Sequence, residues 1–206
     1  MAILLSEVVP GIRFYPMIRV FQLFFLPGPA WEQIALGRQQ VLKTALLYLL
    51  PLVAVCVLVD GYSLHLWGMR QMSGGAPTHY DLEAIKRFEM IHAGVLVAMV
   101  LFGAMLVRWI AVSFQVQTDF PSCFNLAVFG FTPVFIAHML NIVPFLNIWI
   151  TTGLGMVGCT FVLYQGVGAV LQPEQTKGFG LLILCVMTFV LLTAMELMLG
   201  QMALHA

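Results

Sequence analysis

Long apolar runs separated by short polar segments make up most of this chain. After a mixed stretch of about 40 residues, five runs are almost free of charge and long enough to cross about 30 Å of hydrocarbon as helices. These predicted spans are residues 41–59, 88–110, 121–140, 144–171 and 178–201. The pattern predicts an all-α fold, a polytopic membrane helix bundle with about five transmembrane helices over residues 41–206.

Residues 1–40 follow a different pattern, in which aromatic and basic side chains alternate and prolines interrupt any continuous spanning helix. We expect an N-terminal interfacial helical arm that lies on the membrane surface; the alternative is a plain leader that only delivers the first span. Basic and aromatic side chains prefer the headgroup region. The predicted interfacial anchors are Arg13, Arg19, Trp31, Arg38 and Lys43.

Residues 60–87 form the longest polar segment and are predicted to be the one sizeable loop outside the membrane. Asp60 and Tyr62 are interpreted as the headgroup end of the first span. Glycines within the spans predict close helix packing. Gly94 is expected at such a contact, and the glycine-rich fourth span is expected to lie at the centre of the bundle.

Composition supports the membrane assignment, because 61% of residues are hydrophobic and 9% are charged, against about 25% charged in soluble domains. Nine basic and nine acidic residues leave no surplus for binding nucleic acid. All four cysteines lie in apolar runs without metal-ligand spacing and are predicted to be packing residues. No catalytic or phosphate-binding motif is present, so we expect neither an enzyme nor a cofactor.

Orientation is predicted from the lysines and arginines on each side of the membrane. Six lie on the side of the N-terminus: Arg13, Arg19, Arg38, Lys43, Arg108 and Lys177. Three lie on the other side: Arg70, Lys86 and Arg87. The excess predicts a cytoplasmic N-terminus and an external C-terminus, in the inner membrane if the protein is bacterial.

Few ionisable side chains fall inside the predicted spans, and these are the candidates for function because charge in hydrocarbon is costly. Glu196 could bind a proton or another ion. His92 and His138 are predicted to lie in the outward half, where with Glu89 they could form a metal site or simply donate hydrogen bonds. Polar side chains in the third and fourth spans could line a polar path through the bundle. The favoured interpretation is that they form hydrogen bonds to neighbouring helices.

Three segments carry a family resemblance: LFFLPGPAWEQIA at residues 23–35, GFTPVFIAHMLNIVP at 130–144, and LYQGVGAVL at 163–171. Their order resembles the Yip1 family, especially its bacterial members. The resemblance implies five spans and a cytosolic N-terminus. Eukaryotic relatives associate with Rab-type GTPases, but this chain lacks their DLYGP-like motif and long acidic tail, so GTPase binding is not carried over.

The leading hypothesis is a non-enzymatic membrane scaffold, adaptor or accessory subunit that contacts the lipid bilayer and either copies of itself or other membrane subunits. The alternative is a small channel or carrier for an ion or small solute, using Glu196 and His92. A third hypothesis is a metal-dependent intramembrane enzyme built on His92, His138 and Glu89.

Overall fold

The computed structural model describes residues 27–36, 41–68, 77–144 and 146–205, and these residues form helices and connections without any strand. There are six helices within those ranges. They are α1 (Pro27–Leu36), α2 (Val41–Trp67), α3 (Leu82–Ser113), α4 (Phe120–Met139), α5 (Ile148–Leu171) and α6 (Gln175–His205).

Helices α2 to α6 are each long and apolar enough to cross a membrane, which confirms the predicted fold class. The first connection differs from the sequence interpretation. Helix α2 continues past residue 59 to Trp67, and α3 already begins at Leu82, where the Asp81 side chain caps it by accepting from the Ala84 N–H. Asp60 is therefore a buried residue inside α2 and not a headgroup anchor at its end.

The third span, α4, lies at the centre and packs against α2, α3 and α5, while α6 lies along α3. Within its most apolar window, 83% of α4 is buried, against 39% for α5. The prediction that the glycine-rich fourth span is central was therefore wrong. Gly155 does allow α5 to approach Ala137 of α4, but a side chain at Gly94 would meet nothing within 4 Å.

A series of polar contacts joins α2 to α4 and to the 3₁₀ turn that follows it. The pairs are Thr44 with Asn125, Tyr48 with Thr132 at 2.7 Å, Cys56 with the Phe135 carbonyl, Asp60 with His138, and Ser63 with the Asn141 carbonyl. The α2 members recur at helical spacing, so they share one face. Bonding between helices thus accounts for much of the polarity seen in the third span, as the sequence predicted.

Helix α1 packs into the bundle through Trp31, whose indole N–H donates to the Val162 carbonyl at 3.1 Å. Trp31 is fully buried and meets Phe129 edge to face. The expectation that Trp31 anchors the arm among headgroups was therefore wrong, because protein and not lipid surrounds its ring. Lys43 is exposed near the start of α2, as an anchor requires. Arg13, Arg19 and Arg38 lie outside the described residues.

Two π-helical segments interrupt the α-helical hydrogen bonding near the same end of the bundle as α1. Ala45–Leu49 ends two residues before Pro51 in α2, and Val167–Leu171 ends α5. Proline has no N–H for the carbonyl four residues earlier, so a local change of helical repeat in α2 is expected here. Pro133 likewise removes one backbone donor inside α4, which stays α-helical through it.

A small apolar cluster lies at the other end, where α2 ends and α3 begins. It is formed by Leu64, Ile85, Phe88, Ala203 and Leu204. Tyr80, in the connection before α3, packs against this cluster, and burial raises the pKa of its phenol.

We predict that Gly166→Leu displaces α1, because a Cβ at Gly166 would lie 2.6 Å from a ring carbon of Trp31. Overpacking of this kind costs about 1–3 kcal/mol, so the thermal unfolding temperature in detergent should fall. Gly168→Leu is the matched control, since the same glycine-rich segment has open space there. Equal unfolding temperatures for the two variants would contradict the docking of α1.

Candidate functional site

Four ionisable side chains from four helices meet inside the bundle: Asp60 of α2, His92 of α3, His138 of α4 and Glu196 of α6. Each is at most 6% exposed. At 1.5 Å per residue, Asp60, His92 and Glu196 lie about 10–15 Å inside the nearest ends of their helices. We call these four residues the carboxylate–histidine cluster.

The two histidines lie between the two carboxylates. His138 Nδ1 is 2.8 Å from Asp60 Oδ2 in a hydrogen bond, and His92 Nε2 is 3.3 Å from the same oxygen. On the other side, His92 Nδ1 is 3.3 Å from Glu196 Oε1, and His138 Nε2 is 3.8 Å from Glu196 Oε2. Every ring nitrogen of the pair thus faces a carboxylate oxygen.

Two further hydrogen bonds fix the orientation of the Asp60 carboxylate. The Asn141 amide donates to Asp60 Oδ1 at 2.8 Å, and the Thr151 hydroxyl, from the first turn of α5, donates to Asn141 Oδ1 at 2.7 Å. Asn141 belongs to the 3₁₀ turn Leu140–Ile142 that follows α4. The Asp60 carboxylate is therefore oriented from two directions, and α5 is joined to the network through Thr151.

His92 and Glu196, the other half of the cluster, lack hydrogen bonds that their polar atoms could make. Neither ring nitrogen of His92 makes a hydrogen bond of acceptable geometry, and Glu196 Oε2 has no hydrogen-bond partner. Buried polar atoms normally find partners, so a native group left in this way calls for an explanation. The polar groups of the cluster surround a space, and those of His92 and Glu196 do not hydrogen-bond fully to one another.

A cavity of about 80 Å³ adjoins the cluster. It extends past Trp67, Pro144 and Gln201 toward the end of the bundle where α2 and α6 end and α3 begins. The cavity exists because α4 ends one residue after His138, whereas α2 and α6 continue well beyond the cluster. A space of this size has room for several water molecules, and the four cluster residues among its lining offer them polar partners.

The opposite half of the bundle is closed by packed aromatic rings. Phe131 of α4 stacks on Phe189 of α6, with ring centroids 3.9 Å apart. Gly103 and Gly130 border this stack, since a Cβ at either would lie within 3 Å of one of the two rings. Among the described residues, the cavity beside the cluster leads toward the end of the bundle opposite this stack.

The structure brings together the three candidate residues chosen from the sequence, Glu196, His92 and His138. It separates Glu89 from them, because that carboxylate lies against Gly61 in a recess with Tyr62 and His65. Asp60 is the member that sequence reasoning missed, since its charge was taken to mark the end of a span. Its helical spacing from Cys56 and Ser63 was the available signal.

Three cluster residues meet the first requirement for holding a metal ion. One ligand atom each from Asp60, His92 and His138 lies within 4.8 Å of the other two, and all three side chains are buried.

Comparison with known proteins adds the family. Curated proteins and solved structures give no match to the chain. The sequence profile of the Yip1 domain matches residues 21–195, which includes α1, all of α2 to α5 and most of α6. The match contains all of the carboxylate–histidine cluster except the final member, Glu196. The chain is an integral membrane protein and belongs to the Yip1 family.

Proposed function

We propose that this protein is a non-enzymatic carrier of a small cation, which binds at the carboxylate–histidine cluster. The observation that supports this most directly is the burial of two carboxylates beside a histidine, His92, whose ring nitrogens make no hydrogen bond, next to a cavity that extends to one end of the bundle. Ionisable groups at such depth are rare and usually mark ion pathways.

Charge balance favours a cation as the bound species. When both imidazoles are neutral and both carboxylates are ionised, the cluster carries two negative charges. Among the described residues, the ion pairs of lysines are those of Lys86 with Glu83 and Lys177 with Glu174, and none joins a lysine or arginine to the cluster. A bound cation would offset the cost of keeping two carboxylates in the membrane interior.

One-sided access favours a carrier over an open pore. The cavity leads to the end of the bundle that the charge count assigns to the outside, and the Phe131–Phe189 stack closes the other half. Passage then requires the closed half to open. The π-helical segments and Pro133 are places where helices bend or change register, and the closed half contains all of them.

The scaffold or adaptor role stays a prediction, as do the inner membrane, the orientation and the association with copies of the chain or with other subunits. The spans expose many large apolar side chains, including Phe102, Trp109 and Val157. Such side chains suit lipid as well as a protein partner, so they do not select a scaffold.

We predict that Asp60→Asn slows cation uptake into reconstituted vesicles. The variant keeps the size of the side chain but removes its charge. A charge-assisted contact contributes more than about 1.4 kcal/mol, so uptake at limiting cation should fall at least about tenfold. The measurement uses internal dyes for protons, potassium, magnesium and zinc, tested one at a time.

Glu89→Gln is the matched control, because Glu89 lies on α3 but outside the cluster. Its uptake should equal that of the unmodified protein. The carrier proposal fails if no cation is taken up, or if Asp60→Asn and Glu89→Gln behave alike.

We also predict that Gly200→Leu obstructs the cavity. Gly200 lines it, and a Cβ there would lie 3.3 Å from Phe88 and 3.8 Å from His92 Nδ1. A barrier raised by about 1.4 kcal/mol slows uptake about tenfold. Gly94→Leu in α3, where a side chain has open space, should leave the rate unchanged; equal slowing by both would argue against entry through this cavity.

A further inference from the structure

The cation can be specified further by the ligand atoms that the cluster offers. We propose that the site binds one divalent transition-metal ion, of which zinc is the representative, through Asp60, His92 and His138, with Glu196 as an outer carboxylate. This inference rests on the proposed function in that it names the cation to be carried.

Ligand type selects the class of metal. Sodium, potassium, magnesium and calcium prefer sites made of oxygen atoms, whereas imidazole nitrogen suits zinc, iron, nickel and copper. The group of potential ligands found among the described residues has two imidazoles, one carboxylate and no thiolate. Such a set fits a borderline divalent ion and not a soft monovalent one.

On the Asp60 side of the histidines the three potential ligand atoms lie within 4.8 Å of one another, close to the spacing around a bound metal. Tetrahedral zinc with bonds of about 2.0–2.2 Å places its ligands about 3.3–3.5 Å apart. His92 Nε2 and Asp60 Oδ2 are 3.3 Å apart. His138 Nδ1 and Asp60 Oδ2, now hydrogen-bonded at 2.8 Å, need to separate by about 0.5 Å to admit the ion.

Glu196 then occupies the outer position. Histidines that bind metal usually donate their other ring N–H to a carboxylate, which fixes the ring and raises its basicity. With His92 Nε2 and His138 Nδ1 on the metal, the nitrogens left over are His92 Nδ1 and His138 Nε2. These are the two atoms that face Glu196, at 3.3 and 3.8 Å.

Asn141 completes the support on the carboxylate side. Its amide holds Asp60 Oδ1, leaving Asp60 Oδ2 for the metal, and Thr151 in turn orients Asn141. The protein thus supplies three ligands, and the cavity lies next to the remaining position. An open position of this kind lets an ion arrive with water attached and leave again.

The absence of a hydrogen bond at either ring nitrogen of His92 is the independent observation that points to a ligand. Its side chain is 2% exposed and lines the cavity, yet neither ring nitrogen has a hydrogen bond. A metal ion gives Nε2 a partner directly, and it fixes the tautomer in which Nδ1 carries the proton facing Glu196.

The test is zinc binding to the full chain in detergent, after treatment with a chelator and removal of the chelator. Titration calorimetry and elemental analysis should give one zinc per chain. Asp60→Asn and His92→Gln should each weaken binding at least about 100-fold, and Glu196→Gln about 10–100-fold. His65→Gln, an exposed histidine of α2 outside the cluster, should bind as the unmodified protein does.

Cobalt substitution provides a readout that needs no variant. Cobalt(II) bound to the unmodified protein should give the intense visible absorption of a tetrahedral nitrogen and oxygen site, and zinc should displace it. A spectrum of weak octahedral bands, absence of saturable zinc binding, or equal affinity in Asp60→Asn and His65→Gln would each overturn the inference.

Failure of this inference and failure of the carrier proposal are distinguishable. Uptake of another cation that depends on Asp60, without zinc binding, overturns the metal site and leaves the carrier standing. If zinc binds at the cluster but no cation is taken up into vesicles, the metal site is supported and the carrier proposal is overturned.

Discussion

The structure depends on keeping the carboxylate of Asp60 inside a membrane bundle. A charged group at this depth is costly unless it is paired. His138 and Asn141 approach Asp60 from the α4 side, His92 approaches from α3, and Thr151 of α5 holds Asn141 in place. Glu196 of α6 lies beside the same two histidines. All five spans therefore contribute to one polar network, which specifies their relative positions more closely than apolar packing in lipid does.

The number and class of the helices were predictable because they follow from the length and composition of the apolar runs. The positions at which the helices end were harder to predict. A charge normally marks a headgroup boundary, and Asp60 was interpreted in that way, but α2 continues for another seven residues to Trp67. The recurrence of Thr44, Tyr48, Cys56, Asp60 and Ser63 on one face of α2 was visible in the sequence. It indicates a polar face directed at a partner helix and not the end of a span.

Three of the four members of the site were chosen from the sequence, but Asp60 was missed and the assembly of the four was not predicted. Glu196, His92 and His138 stood out because each is ionisable within an apolar run. Which of them meet depends on the packing of α3, α4 and α6, and sequence spacing does not determine that packing. Glu89 shows the difficulty: it lies one helical turn before His92, yet its carboxylate contacts Gly61 outside the cluster. The central position of α4 was not predicted either. The number of glycines in a span does not determine how much of that span is buried.

The early end of α4 connects the fold to its chemistry. Because α4 stops one residue after His138, the 3₁₀ turn that follows places Asn141 beside Asp60, and the space above it becomes the cavity. An α4 that continued as far as its neighbours would fill this space with its next turns and remove the Asn141 contact. At the other end, Gly103 and Gly130 let Phe131 and Phe189 stack closely. Under the carrier proposal, an ion that left the cluster toward that end would need a movement that separates these rings, so the rate of passage would depend on that aromatic stack as well as on the affinity of the site.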